Sequence, residues 1–282
     1  MKRYFFIFLL ITGFINSNAQ EQLTVESYIS GKYSVKKPEN IQWQPSTNNF
    51  SYIENNALQI VEPNSFRVIE TLSVDSLIKK MPGFPIRFPE YMWIDSNKIV
   101  FRFDSVICLY SRLINGFEKI IRLPGNADNI DVDKSLRIAY TLKNNLYMTD
   151  TSGKSIQITN NISVVSSGCK YVYREEFGTD KATFLSTDGE WLAYYSLNES
   201  KIPAYPQIDY SGEYAKPKSL KYPFSGQANQ IVTLYAYNLK LKKRIRLNTG
   251  EIDHYLTNIS WSPNSEHIYL FDLNRDQNQY TL

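Results

Sequence analysis

Apolar and polar positions alternate over short stretches along most of the chain, with turn-forming residues between them. Residues 144–148 and 231–237 are clear cases, rich in β-branched and aromatic side chains. A two-residue period built from such residues predicts half-buried strands. Helical periodicity is weak throughout, and the best short helix candidate is Val74–Lys80.

One unit recurs along this pattern. An aromatic or apolar residue is followed by small or polar residues, then Asp or Asn with a turn residue, then an alternating strand. The copies lie at 43–52, 93–101, 130–140, 185–194 and 261–270. Asp or Asn beside Gly, Ser or Asn tolerates the left-handed backbone that tight turns demand. Copies begin 50, 37, 55 and 76 residues apart. These spacings bracket the ~40–50 residues of a four-stranded propeller blade. The longest follows the fourth copy and implies an insertion through Pro203, Pro206, Pro217 and Pro223. The expected fold is all-β, a β-propeller; a non-repetitive sandwich of hairpins is the alternative.

Composition narrows the function classes. With 43% hydrophobic and 14% aromatic residues, and 12 Gly and 12 Pro in 282, the chain is neither disordered nor collagen-like. A net charge of +3 is too small for a nucleic-acid footprint, which needs a clustered basic face. The basic run Lys240, Lys242, Lys243, Arg244 and Arg246 is interleaved with Leu241, Ile245 and Leu247, as on a strand with one solvated face.

Lys2 and Arg3 precede an apolar run over 4–15, and Ser17 and Ala19 offer small residues before a cut. That layout predicts a signal peptide over 1–19, with a propeller domain over 20–282. The apolar run is shorter than the ~20 residues of a membrane span. The expected location is therefore secreted or periplasmic, with no membrane attachment after cleavage. An exported chain could bridge Cys108 and Cys169 if geometry allowed; the apolar run around Cys108 favours free thiols. No metal or other cofactor is expected, because only His254 and His267 accompany the cysteines and no CxxC or HExxH spacing occurs. The stretch Gly153, Lys154, Ser155 is no P-loop, since Met148 stands where the first glycine is required. There is also no GxSxG nucleophile elbow.

The specific signal is Glu175 and Glu176, set between Tyr171, Val172 and Tyr173 before and Phe177 and Gly178 after. On a strand, adjacent carboxylates point to opposite faces. In a helical turn they diverge by about 100° and can lean toward one cation. A short helical insertion is therefore expected near 171–178.

Four segments together resemble the dipeptidyl peptidase IV family of serine exopeptidases, in its N-terminal propeller. They are Tyr171 to Glu176; Asp188 and Gly189 leading to Leu192, Ala193 and Tyr194; Tyr222, Pro223, Gly226 and Asn229; and Leu273 to Asn278. The resemblance starts near Ile41 and is strongest from Lys170 to Leu282. It implies an eight-bladed propeller covering an α/β-hydrolase domain with a Ser-Asp-His triad. It also implies that paired glutamates bind the free N-terminus of a peptide, a role that falls by position on Glu175 and Glu176. Arg102 is the candidate for an arginine contacting the substrate carbonyl. Departures include Leu185, Thr187, Phe224 and Ser225, and an arginine, Arg174, just before the pair. Five strand units are too few for eight blades, so the expectation is a truncated, non-catalytic propeller portion without peptidase activity alone. A hydrolase domain encoded downstream would be its partner. The rivals are a stand-alone peptide- or protein-binding propeller, and the front part of an oligopeptidase or acylaminoacyl peptidase.

Overall fold

The computed structural model describes residues 23–282 except 36, 151, 170, 251 and 252, and only the backbone of 174 and 175. The signal-peptide expectation over 1–19 lies outside the described residues. The chain divides into two units, Met1–Glu39 and Asn40–Leu282. In the first, the short helix α1 (Val25–Ile29) is capped reciprocally. Thr24 Oγ1 accepts from the Ser27 amide at 3.1 Å, and Ser27 Oγ accepts from the Thr24 amide at 3.0 Å.

The second unit is built from successive antiparallel sheets. The first contains β1 (Glu39–Trp43), β2 (Phe50–Glu54), β3 (Ala57–Glu62) and β4 (Arg67–Ser73). It leads into helix α2 (Val74–Lys80), which coincides with the best helix candidate from periodicity. The second sheet holds β5 (Glu90–Trp93), β6 (Lys98–Phe103), β7 (Val106–Ser111) and β8 (Gly116–Arg122). The third holds β9 (Asp128–Val132), β10 (Ile138–Leu142), β11 (Asn145–Thr149) and β12 (Ser155–Gln157). In the fourth, β13 (Val165–Ser167) and β14 (Thr183–Leu185) both pair with β15 (Trp191–Asn198). A separate hairpin, β16 (Ala204–Asp209) with β17 (Lys216–Lys221), follows before β18 (Ile231–Asn238) and β19 (Lys243–Arg246) complete that sheet. This hairpin is the insertion that the long spacing announced. The fifth sheet is β20 (His254–Trp261), β21 (Ile268–Asn274) and β22 (Tyr280–Thr281).

Every copy of the repeat falls at the turn joining the first strand line of a sheet to its second. Asp95 Oδ1 accepts from the amides of Asn97 (2.7 Å) and Lys98 (2.9 Å). Asp133 does the same for Ser135 (2.9 Å) and Arg137 (2.8 Å), and Asp188 for Glu190 (2.9 Å). A carboxylate that satisfies the free amides of a turn fixes where the next strand begins.

Cores form between sheets. Leu58 and Ile60 of the first pack with Trp93, Phe101 and Tyr110 of the second, and Leu77 of α2 belongs to the same cluster. The second and third share Ile107, Leu109, Ile138 and Tyr140. The third and fourth share Leu146, Met148, Leu192 and Tyr194, and the fourth and fifth share Leu197, Leu234, Tyr255 and Leu256. Each middle sheet is covered on both faces, so strands such as β7 and β10 are buried almost continuously. Among the described residues no core joins the fifth sheet to the first. The result is a five-sheet propeller arc that does not close, as the repeat count implied. Both cysteines are free, Cys108 buried and Cys169 half-buried.

Candidate functional site

Strands β13 and β14 occupy one line, pairing in turn with the two ends of β15. Between them the chain leaves the sheet. Both legs of the excursion are fastened to one residue: the Gly168 amide donates to the Tyr195 carbonyl (2.9 Å), and the Tyr195 amide donates to the Ala182 carbonyl (3.1 Å). Gly168 makes the departure possible. Its φ is +72°, and a Cβ there would lie 2.8 Å from Leu146 Cδ1 and 3.3 Å from Thr183 Cγ2. Only glycine combines that backbone with so close an approach.

At the head of the excursion lies a 3-10 helix, Val172–Gly178, where the sequence placed a helical turn. Val172 and Tyr173 are buried. The Tyr173 amide donates to Gln230 Oε1 (2.9 Å), and Gln230 Nε2 donates to Glu199 Oε1 (2.9 Å). The Leu256 amide of β20 donates to the Tyr173 hydroxyl at 2.9 Å. That hydroxyl donates weakly to the His254 carbonyl at 3.4 Å. Tyr195 donates to the Leu256 carbonyl at 2.7 Å. Strand β20 is an edge strand, so two tyrosines satisfy Leu256 backbone groups that have no neighbouring strand on that side. Burial pushes the Tyr173 and Tyr195 phenols far up, so both remain protonated. The rings of Tyr173, Phe177 and Tyr255 close the seam, with centroids 4.9–6.2 Å apart.

This turn is strained. Tyr173 (φ 53°) and Phe177 (φ 60°) are both left-handed without being glycine. Such residues cost of order 1–3 kcal/mol each and persist only where the surroundings over-determine them. The hydrogen bonds and ring contacts of Tyr173 do that here.

The sequence-derived site residues fall as follows. Glu175 and Glu176 are both in the 3-10 helix; Glu176 is exposed, and the side chains of Glu175 and Arg174 lie outside the described residues. Arg102 sits on β6 opposite Glu90 of β5. It pairs with the Glu90 carboxylate and donates to the Ile130 carbonyl, stitching the second sheet to the third.

Arg102 also lines a cavity of about 520 Å³ bounded by the first strands of the second, third and fourth sheets. The returning leg of the excursion, 180–182, forms part of its wall. Arg102 and the returning leg of the excursion thus share one concave wall, whereas residues 172–178 of the glutamate turn are not among its lining residues. The wall carries five carboxylates (Glu90, Asp104, Asp128, Asp131, Asp180) against two cations, a formal charge of −3. Glu90 is held by Arg102, and Asp131 by Lys181 at 2.8 Å and the Thr183 hydroxyl at 2.9 Å. A concave wall with excess negative charge attracts cations.

Sequence reasoning missed the wall carboxylates and the role of Tyr173, Gln230 and Tyr255. Gln230 is 57 residues from the amide it receives, and no local pattern marks it.

The model of the family described as dipeptidyl peptidase IV (DPP IV) N-terminal region matches residues 132–282. The dipeptidyl aminopeptidase B of Saccharomyces cerevisiae is 33% identical over 172 residues, 55% of this chain and 20% of that protein. A Rattus norvegicus protein named inactive dipeptidyl peptidase 10 is 31% identical over 153 residues, 50% of this chain and 19% of its own length. The alignments therefore span about a fifth of these relatives. Among solved structures, a Bacteroides ovatus chain described as a dipeptidyl aminopeptidase IV is 28% identical with a TM-score of 0.70, covering 93% of this chain and 37% of that one. The dipeptidyl peptidase 4 of Porphyromonas gingivalis is similar in fold, with a TM-score of 0.73 at 19% identity and coverage of 93% and 40%.

Proposed function

From the fact that this chain belongs to the dipeptidyl peptidase IV N-terminal region family, we propose that its glutamate turn and the adjoining cavity receive the free N-terminal amine of a peptide. The observation that carries this reading is the placement of the Glu175–Glu176 turn on an interrupted first-strand line, with its returning leg in the wall of a net-negative cavity. An α-amine has a pKa near ~8 and is mostly cationic at neutral pH. Two carboxylates would hold it by charge-assisted hydrogen bonds. Arg102, already paired with Glu90, would face the peptide backbone from the cavity wall it lines.

In this reading the chain supplies the binding half of a proteolytic reaction. Cleavage belongs to a hydrolase domain of the kind the family resemblance implies, and the 282-residue chain alone releases no dipeptide. The signal-like segment over 1–19 would place it outside the cytoplasm. A binding propeller without catalysis is the second reading, and kinship to a protein named inactive favours it.

The test is fluorescence anisotropy with a short Ala-Pro peptide labelled at its C-terminus, compared with its N-acetylated twin. Hydrogen bonds to charged groups contribute about 1.5–3 kcal/mol, so the free peptide should bind roughly 10–100-fold tighter. The advantage should vanish as pH rises through the amine pKa near ~8, and in Glu175→Gln/Glu176→Gln. Equal affinity for both peptides at pH 7 would remove the amine from this site.

A further inference from the structure

The glutamate turn is a helix of seven residues without a side-chain hydrogen bond at its N-cap, and it contains two left-handed non-glycine residues. Its fixed points lie elsewhere. One is Gln230, immediately before β18, which accepts from the Tyr173 amide and is itself held by Glu199. The other is the edge strand of the fifth sheet, whose Leu256 amide reaches the Tyr173 hydroxyl and whose Tyr255 ring packs on Tyr173 and Phe177. We propose that Tyr173 is the positioning residue of the amine site, clamping the Glu175–Glu176 backbone to the fifth sheet so that amine recognition depends on the seam between the fourth and fifth sheets. This rests on the amine-binding reading above.

The physical reasoning is short. Two carboxylates recognise one ammonium only if their Cα atoms hold a fixed separation and direction, and small displacements forfeit charge-assisted bonds. A strained turn released from its clamp relaxes toward ordinary backbone angles, which changes the separation and direction of the Cα atoms of residues 175 and 176. Tyr173 touches no ligand in this scheme. It acts two and three residues away, through the backbone.

The experiment uses the full 282-residue chain and the same pair of Ala-Pro peptides, free and N-acetylated. Tyr173→Phe keeps the ring and deletes the hydroxyl; Gln230→Ala removes the second hold and leaves the hydroxyl in place. In each variant the preference for the free peptide should shrink to within about threefold, while affinity for the acetylated twin stays unchanged. A purely structural role would lower thermal stability and leave the ratio intact. Hydrogen–deuterium exchange gives an independent readout, because the amides of 174–178 should exchange faster in both variants. Both variants keeping the wild-type preference, while Glu175→Gln/Glu176→Gln loses it, would overturn the clamp and spare the amine site. Unchanged exchange over 174–178 would also overturn the clamp. A wild-type chain that fails to distinguish the peptides would end both.

Discussion

Replacing Gly168 by alanine should cost far more than the same change at Gly178, although both glycines belong to one excursion. Gly168 has φ +72° and Gly178 φ +66°, so each change forces alanine into left-handed backbone. That penalty is about 1–2 kcal/mol and is shared by both. The surroundings differ. A Cβ at Gly178 meets nothing within 4 Å, whereas at Gly168 it meets Leu146 Cδ1 at 2.8 Å, Thr183 Cγ2 at 3.3 Å and Thr141 Cγ2 at 3.4 Å. Leu146 is fully buried in the core between the third and fourth sheets, so it cannot yield without disturbing that core. Overpacking of this sort adds about 1–3 kcal/mol. Urea unfolding of the two variants, with wild type alongside, should give losses of roughly 2–5 kcal/mol for Gly168→Ala and about 1–2 kcal/mol for Gly178→Ala. Losses equal to within ~0.5 kcal/mol would show that the excursion does not leave the sheet through a packed seam.

Two further outcomes follow from the same chemistry. The Ser186 hydroxyl, donating to Asp188 at 2.6 Å, and the Glu190 amide hold the Asp188 carboxyl below its ordinary value. A depressed folded pKa means that the turn gains stability above the unfolded value near ~4 and loses it as pH falls through the folded one. NMR titration should show the Asp188 pKa rising in Ser186→Ala, and an unchanged titration would refute the assignment. Burial pushes the Cys108 thiol up to about 12, so a thiol reagent at pH 8 should label it only after denaturant unfolds the second sheet. Rapid native labelling would contradict the buried placement.

What the sequence revealed and what it hid divide along a physical line. The five turns were legible because each is a local device. In the second to fifth an Asp or Asn oxygen takes up amides two to four residues away, and in the first the Thr47 hydroxyl accepts from the Asn49 amide at 3.2 Å. Helix α2 was legible for the same reason, with Ser73 capping the Ser76 amide and Lys79 and Lys80 in the last turn. The glutamate turn was found through an acidic pair set among aromatic residues and through the family resemblance, and its helical form followed from asking which geometry lets neighbours cooperate. Its support was invisible. Gln230 and Leu256 reach Tyr173 from 57 and 83 residues away, and Glu90, Asp128 and Asp180 meet in one wall only after three sheets have packed. Contacts of that kind leave no periodic trace.

The interruption of a strand explains why the polar apparatus gathers where it does. A continuous first strand would spend its backbone groups on β15 and present alternating side chains, with no room for a projecting turn. Splitting that strand into β13 and β14 removes ladder bonds, yet Tyr195 recovers two of them by fastening Gly168 and Ala182. The 13 residues between those anchors, 169–181, then depart from the sheet without orphaning the strand beneath. They still need fixed partners at their far end, and only an edge strand has spare backbone groups to give. Strand β20 is such an edge, and Leu256 gives both its amide and its carbonyl to tyrosines of the fourth sheet and its excursion. A functional turn on a middle sheet therefore draws its rigidity from the next sheet. Substitutions at the seam between the fourth and fifth sheets should accordingly alter ligand recognition before they unfold the arc.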